Sequence, residues 1–263
     1  MNAFIPSFFK HKRPSDLVRV GRANDGGYTI SEKDIIETSH LISLGMDDDW
    51  SFESGFKLIN EVPIFIYDRS ISKRFFLKRM IRSIVSPNKV RGDSILRVEE
   101  KQFILLKSIK TYLSYISFFQ DEVKHIEKNV GLDLAGSITM DNVFKETDSN
   151  KIFLKIDIEG GEYRLLDSII ENQNRLTGMV MEFHDCDLHI ALIENFLSKF
   201  SLSLVNIHAN NCGPIDDRTG LPVALELSFS SQAVKSNDFC SYPNSIDQTN
   251  NSFEDEIIIN FSD

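Results

Sequence analysis

Short apolar runs that end in polar or acidic residues alternate along the chain with helical patterns of hydrophobic spacing. A parallel strand buried on both faces is a near-continuous hydrophobic run, and its connection to the next parallel strand is commonly a helix. The alternation therefore predicts an α/β fold with about seven strands in a mostly parallel sheet. The predicted strands are HLISLGMDDD (40–49), VPIFIYD (62–68), VKHIEKNV (123–130), KIFLKID (151–157), GMVMEFHD (178–185), LSLVNIHANN (202–211) and PVALELSFS (222–230).

Helical spacing of apolar residues fills most of the intervals between these runs. Thr139 precedes a short helical pattern and is its expected N-cap. No composition shift marks a second domain, so we expect one domain over residues 1–263, with a polar C-terminal extension at about 234–263 whose run DEIIINFS adds or covers an edge strand. The predicted helices are 93–119, MDNVFKE (140–146), EYRLLDSIIEN (162–172) and IALIENFLSKF (190–200).

The net charge of -10 argues against a nucleic-acid partner, because affinity for phosphate backbones depends mainly on lysine and arginine. No apolar stretch is long enough to span a bilayer, and the first residues lack a secretory signal pattern, so a cytoplasmic protein is expected. The three cysteines are widely spaced and form no CxxC pattern, which argues against a disulfide framework or a structural zinc site.

One segment opposes the acidic trend. Residues 69–91 contain eight basic residues and no acid, and apolar residues recur among them with roughly helical spacing. This pattern predicts a basic amphipathic helix inserted in the domain. Its cations form either an ordinary solvated face or a landing site for an anionic substrate or an acidic membrane surface.

The ends of the first two strands carry the expected cofactor site. Gly45 and Asp47 follow the first strand, and Asp68 ends the second, where a carboxylate can accept the hydroxyl hydrogens of a ribose. No GxGxxG is present, and an acid-rich loop would repel a pyrophosphate. S-adenosylmethionine has a ribose and a positive sulfonium but no phosphate, so it suits this loop better than a dinucleotide.

A second acidic loop follows the strand KIFLKID. Asp157 and Glu159 are two residues apart, so in an extended segment their side chains point the same way and can share one target. Further polar residues end later strands: Glu182, His184 and Asp185 after one, and His208 in another. These acids either serve chemistry or only cap the helices that follow.

The sequence resembles the FkbM-type S-adenosylmethionine-dependent methyltransferases. The resemblance implies their Rossmann-like fold, with seven strands, a mostly parallel sheet and an antiparallel last strand. It also places Gly26 and Gly27 close to the cofactor. The glycine-rich loop common after the first strand of that family is GMDDDWSFE here, so Gly45 and Asp68 support the cofactor assignment more than the acidic run does. The resemblance rests on DGGYTI (25–30), LISLGMDDDWSFE (41–53), SITMDNVF (137–144), LKIDIEGGEYRLL (154–166), VMEFHD (180–185), IHANN (207–211) and LPVALELSF (221–229).

The family implies methyl transfer to an oxygen, often that of a sugar. A sugar hydroxyl is a poor nucleophile near neutral pH, so a base or a metal ion must assist it. In one version His184 or His208 is the base, and Asp157 and Glu159 orient it and bind sugar hydroxyls. In the other, Asp157 with Glu182 or Asp185 holds Mg²⁺ or Mn²⁺.

The sequence thus predicts a cytoplasmic sugar O-methyltransferase. The basic segment favours an anionic acceptor such as a sugar nucleotide, and contact with a membrane surface is the less favoured role of that segment. A non-catalytic nucleotide- or glycan-binding domain and a Rossmann-type oxidoreductase are the alternatives.

Overall fold

The computed structural model describes residues 1–12, 14–85, 98–232 and 242–262. Lys89, Arg91 and Cys240 lie outside them. The strands are β1 (Asn2–Pro6), β2 (Leu17–Val20), β3 (Tyr28–Ser31), β4 (His40–Leu44), β5 (Ile64–Tyr67), β6 (Val123–Ile126), β7 (Asn129–Val130), β8 (Ser137–Ile138), β9 (Ile152–Ile156), β10 (Leu176–Phe183), β11 (Ser203–Ala209), β12 (Leu225–Ser230) and β13 (Ile258–Ser262).

Helices connect the strands of the central sheet, as the alternating pattern predicts. Thr139 caps α5 by accepting a hydrogen bond from the Asn142 backbone N–H, which confirms the predicted cap. The α-helices are α1 (Glu32–Glu37), α2 (Ser51–Ile59), α3 (Lys73–Val85), α4 (Val98–Phe118), α5 (Met140–Lys145), α6 (Leu166–Glu171) and α7 (Cys186–Lys199), and short 3₁₀ helices span Ser7–Phe9, Glu162–Arg164 and Gln173–Arg175.

The central sheet has seven strands in the order β11-β12-β10-β9-β4-β5-β6. Pairs among β6, β5, β4, β9 and β10 are parallel, whereas β12 runs antiparallel to both β10 and β11. This is the strand order of the seven-stranded methyltransferase fold, with the last strand inserted antiparallel. The predicted fold class is confirmed.

Both faces of the sheet are buried, which explains the continuous apolar runs. Leu41 and Phe153 pack into one hydrophobic layer, and their neighbours Ile42 and Leu154 pack into the other. The parallel strands β4, β5, β9 and β10 all end at the same edge of the sheet. The polar residues that follow these strands therefore lie at that edge.

The described residues also form three two-stranded sheets outside the central one. β2 pairs with β3, β7 with β8, and β1 lies parallel to β13. The apolar run DEIIINFS therefore forms a strand, but it pairs with the N-terminal strand rather than with an edge of the central sheet. None of the helices in the described part of the chain is long and apolar enough to cross a membrane.

Candidate functional site

A cavity of about 580 Å³ opens at the carboxyl ends of β4, β5 and β9. Its volume lies in the range of small-molecule sites. Of the residues predicted to form the site, Gly26, Gly45, Asp47, Asp68, Asp157 and Glu159 line it. Gly27, Glu182, His184, Asp185 and His208 are not among its lining residues.

Asp68 holds the loop that forms one wall of the cavity. One carboxylate oxygen accepts the backbone N–H groups of Met46 and Asp47 at 2.8 and 2.9 Å, and the other accepts the backbone N–H and the hydroxyl of Ser70 at 2.7 and 2.6 Å. The pKa of Asp68 is lowered because these hydrogen bonds outweigh the effect of burial. All four acceptor positions of the carboxylate are thus used within the protein, and a ribose would have to displace one of the donors.

Gly45 allows two strand ends to touch. Its φ is +80°, and a Cβ atom there would lie 1.6 Å from the carbonyl oxygen of Asp157. A side chain is therefore excluded by the neighbouring β9 end, in addition to the strain of the left-handed conformation. Lys155, on β9, reinforces the junction by donating a hydrogen bond to the Gly45 carbonyl, and its Nζ lies 3.7 Å from an Asp157 carboxylate oxygen.

Gly26 and Gly27 form the turn between β2 and β3. A Cβ atom on Gly26 would meet the Asp49 carboxylate at 2.6 Å, and one on Gly27 would meet the Arg22 carbonyl at 2.3 Å. The turn therefore packs tightly against the loop after β4. Only the first of the two glycines reaches the cavity.

Asp157 belongs to a network of carboxylates behind the cavity. The Tyr28 hydroxyl donates to Asp157 at 3.0 Å and lies 3.5 Å from Glu182, which also accepts from the Asn210 amide at 2.7 Å. Burial, followed by the charges of Asp157 and Glu226, raises the pKa of Glu182. The network therefore favours a bound proton or another cation.

His184 lies at the end of β10 beside this network. Its Nδ1 is 3.3 Å from Glu162, which also accepts the His184 backbone N–H at 2.7 Å, and its Nε2 lies 3.5 Å from Glu159 and 3.8 Å from Glu182. Burial lowers the pKa of His184, but the hydrogen bond to Glu162 and the charges of Glu182 and Asp157 outweigh it, so the pKa is raised. The raised pKa favours the protonated imidazole.

His208 lies deeper, on β11. Its two ring nitrogens face Glu226 at 3.1 Å and Glu256 at 3.3 Å, and its side chain is 2% exposed, against 18% for His184. Burial alone would lower its pKa, but Glu226 and Glu256 raise it to about 10. The structure thus places His208 in an enclosed ion pair, away from the cavity.

The side chains of Asp157, Glu182 and His184 offer ligand atoms that all lie within 4.8 Å of one another. This is the one such cluster among the described residues. Asp185 was predicted as the alternative to Glu182 as a metal ligand, and it is not part of this cluster. It is the N-cap residue of α7 and has a left-handed backbone.

Three acidic residues at this edge of the sheet have positive φ angles: Asp47 (46°), Glu159 (53°) and Asp185 (50°). A left-handed backbone costs a residue with a Cβ atom roughly 1 to 2 kcal/mol. Such strain tends to concentrate at functional sites. Here it lies within the loops after β4, β9 and β10.

Several site residues were missed from the sequence. Lys155 had a visible signal, because a lysine within the apolar run KIFLKID has to be paired when buried. Tyr28 and Glu162 lie in quoted motifs, but only the packed structure shows that they touch Asp157 and His184. Asn210 follows an apolar run, where a turn is an equally good explanation.

The sequence matches no protein-family model and no curated protein. Solved structures similar to this chain include the METTL16 MTase domain, with 11% identity and a TM-score of 0.39 over 76% of this chain and 63% of that one, which is less than two thirds of its length. A human methyltransferase 10 domain containing protein has 12% identity and a TM-score of 0.38, covering 77% of this chain and 79% of that chain. The fibrillarin pre-rRNA processing protein of Methanococcus jannaschii has 8% identity and a TM-score of 0.36, covering 84% and 86%. The fold assignment rests on the strand order of the central sheet.

Proposed function

We propose that this protein is an S-adenosylmethionine-dependent O-methyltransferase of the FkbM type that acts on a sugar hydroxyl. The observation that supports this most is the cavity at the carboxyl ends of β4, β5 and β9, in a sheet with the methyltransferase strand order. In open α/β sheets, ligands bind outside the carboxyl ends of the strands.

The residues of the cavity fit the cofactor. Asp47, Asp48 and Asp49 line it and can provide negative charge for a sulfonium, although Asp48 pairs with Arg79 and Asp49 with Arg22. Ribose hydroxyls would be held by Asp68 once the Ser70 hydroxyl, which can rotate, turns away from the carboxylate. When bound, S-adenosylmethionine supplies an electrophilic methyl group. The chain supplies orientation, and alignment of the reacting groups accounts for much of the rate in such substitutions.

The acceptor hydroxyl would lie beside Asp157 and Glu159, which line the cavity next to the cluster with Glu182 and His184. Since the raised pKa of His184 favours its protonated form, it can act as a base only after losing that proton. Two alternatives remain. Either a carboxylate of the cluster would accept the hydrogen of the acceptor hydroxyl, or a divalent cation would bind to the cluster in place of its protons.

The cluster also fits a metal ion. Two carboxylate oxygens and one imidazole nitrogen suit Mn²⁺ or Mg²⁺, and three protein ligands leave positions for two adjacent sugar hydroxyls. Glu162 would orient His184 from behind, as carboxylates commonly do for metal-binding histidines. The ion would lower the pKa of the acceptor hydroxyl.

The acceptor we propose is anionic, such as a sugar nucleotide. Arg69, Lys128 and Arg164 line the cavity together with the acids, so the cavity offers cations that could bind a phosphate. Arg69 is the first cation of the basic segment. The cations of α3 are not among the lining residues, so they are not required for this role.

Calorimetric titration tests the cofactor first. We expect S-adenosylmethionine to bind and NAD not to bind, because the loop after β4 offers acids where a pyrophosphate needs bare N–H groups. Binding of NAD alone would instead support an oxidoreductase. A screen of sugar nucleotides for the mass gain of one methyl group then tests the reaction, and binding without methyl transfer to any of them would support a non-catalytic domain.

Chelation separates the two versions of the chemistry. If activity is lost on exhaustive chelation and restored by Mg²⁺ or Mn²⁺, the metal version holds. If activity survives chelation and is lost in His184→Gln, the version with a protein base holds. Activity that survives both treatments would remove the metal ion and His184 from the reaction, and the carboxylates would then be tested by Asp157→Asn and Glu159→Gln.

A further inference from the structure

The helices α3 and α4 pack against each other beside the cavity mouth. Phe76 of α3 contacts Tyr115 of α4, with ring centroids 4.9 Å apart. Arg79 of α3 pairs with Asp48 of the cavity wall, and Tyr115 bonds His125, whose other ring nitrogen contacts the Asp68 carbonyl. The helix pair is thus fixed to the loops that line the cavity.

The outer side of α3 mixes cations with apolar side chains. Phe76 and Ser83 are its buried residues, so the core lies on their side of the helix. On the opposite side, at helical spacing, lie Arg74, Lys78, Ile81, Arg82 and Val85. Ile81 is 47% exposed and Val85 is 74% exposed. The sequence pattern predicted a basic amphipathic helix, and in the structure Ile81 and Val85 share the exposed face with the cations.

The outer side of α4 has the same character. Phe103, Leu106 and Leu113 are exposed and lie at helical spacing with Lys107 and Lys110. The acids of this helix, Glu99 and Glu100, lie in its first turn. Among the described residues of the two helices, the outer faces therefore carry apolar groups and cations, with acid at one end only.

We infer that the outer faces of α3 and α4 dock on an anionic lipid bilayer. Charge complementarity selects this occupant, because a chain with a net charge of -10 concentrates cations here. A bilayer surface accepts both kinds of side chain, since apolar groups enter the headgroup boundary while lysine and arginine contact lipid phosphates.

Two other occupants fit less well. A nucleic acid would use the cations, but the exposed Ile81, Val85 and Phe103 would gain nothing from its phosphates. A second copy packed by two-fold symmetry would bring cations opposite cations. Docking on lipid would place the cavity mouth near the membrane surface, but it does not depend on what the cavity binds.

Vesicle sedimentation of the full chain, without cofactor or acceptor, tests the inference. We expect binding to vesicles rich in phosphatidylglycerol, weakened by salt, and none to pure phosphatidylcholine. Lys78→Glu with Arg82→Glu should reduce the partition coefficient roughly tenfold or more, since each cation near an anionic surface contributes about fivefold. Ile81→Ser with Val85→Ser should reduce it severalfold, because two apolar side chains no longer enter the boundary.

Matched pairs elsewhere on the surface serve as controls. Lys145→Glu with Lys199→Glu makes the same charge change on α5 and α7, and Leu188→Ser with Leu192→Ser removes two exposed apolar side chains of α7. Both should bind vesicles much as the parent does. Thermal unfolding checks that each variant is folded.

Three results would overturn the inference. The first is equal binding of both vesicle types, or of none. The second is equal loss in the control pairs. The third is another occupant: a dimer in solution that Ile81→Ser with Val85→Ser dissociates, or binding to a polyanion such as single-stranded RNA that the serine pair leaves unchanged while vesicle binding is absent.

Discussion

Two histidines of this protein have the same kind of partner, a carboxylate, but differ in how far solvent can reach them. Both His184 and His208 lie between carboxylates, and in both the carboxylates raise the imidazole pKa against the effect of burial. His184 follows β10, next to the cavity, and precedes a residue with strained backbone. His208 lies within regular β11, enclosed by Glu226 and Glu256. A histidine paired with carboxylates can therefore exchange protons or ligands at position 184 and stabilise the fold at position 208. Access to solvent distinguishes the two positions.

The largest effect should come from the enclosed histidine. His208→Gln leaves the buried Glu226 and the partly buried Glu256 without their cation, and breaking a buried pair typically costs about 3 to 5 kcal/mol of unfolding free energy. His184→Gln should cost about 1 kcal/mol, because Glu162 keeps the backbone N–H of residue 184 and Glu159 is exposed to solvent. Urea unfolding measures both. Equal losses would abolish the distinction between the two sites.

Wild type and His208→Gln should also differ in how their unfolding free energy depends on pH. The pKa of His208 is raised from an ordinary value near 6.5 to about 10 in the folded protein. Its contribution is therefore fully present below about pH 6.5 and is lost as the pH rises toward 10. The difference in unfolding free energy between wild type and His208→Gln should narrow over this range. A constant difference would show that His208 is not held as a cation.

The next effect concerns the cavity side of the comparison. Asp157→Asn keeps the size of the side chain and deletes its charge, so we expect turnover to fall roughly a hundredfold or more, the usual scale for losing acid–base or metal assistance. Folding and affinity for S-adenosylmethionine should change little. Asp167→Asn, which alters an exposed acid of α6, is the control. Normal turnover in both Asp157→Asn and Glu159→Gln would mean that these acids only cap a helix.

Asp68→Ala should weaken binding of S-adenosylmethionine about tenfold to a hundredfold, since hydrogen bonds to a charged group contribute roughly 1.5 to 3 kcal/mol. The carboxylate both anchors the N–H groups of Met46 and Asp47 and offers an acceptor for ribose. Ser70→Ala leaves those two bonds in place and removes the hydroxyl that a ribose would displace, so this variant should bind at least as tightly as wild type. Calorimetry would exclude Asp68 from the site if a folded variant bound as tightly as wild type.

The smallest effect tests the strain beside His184. Asp185 has a φ of 50°, and its side chain makes no N-cap hydrogen bond to α7. Asp185→Gly should therefore raise the unfolding free energy by about 1 kcal/mol. Asp167→Gly, within α6, should lower it by a similar amount because glycine is unfavourable in helices. A loss of stability in Asp185→Gly would show that its side chain matters more than its backbone.

The sequence predicted the fold well because most of the central strands are apolar runs closed by polar residues, with β6 (VKHI) the weakest of them. Among the described residues, four strands outside the sheet were missed: β1, β2, β3 and β8. All four are short; β2 and β3 pair with each other across a turn, whereas β1 pairs with β13 near the other end of the sequence. Local pattern cannot reveal a partner that lies across the whole chain.

The site was predicted in part, for a related reason. Strand ends located Asp157, Glu182 and His184 because the carboxyl ends of parallel strands share an edge. The sequence could not show which of the two histidines lies next to the cavity. His184 and His208 both come at or after the end of an apolar run, and it is their exposure that differs. Likewise, only the packed structure shows that the Asp68 carboxylate accepts hydrogen bonds from the loop after β4. Only packing shows, too, that a side chain in place of Gly45 would clash with the Asp157 carbonyl oxygen.

The acidic residues with a left-handed backbone at the sheet edge bear on how this protein would respond to selection. Replacing Asp47, Glu159 or Asp185 by glycine relieves the backbone at each position and removes a charge beside the cavity. A library screened only for survival at high temperature should therefore accumulate glycine at these positions, and one screened for ligand turnover should keep the acids at 47 and 159. Sequencing the two pools would separate what the chain needs to stay folded from what it keeps for its ligand.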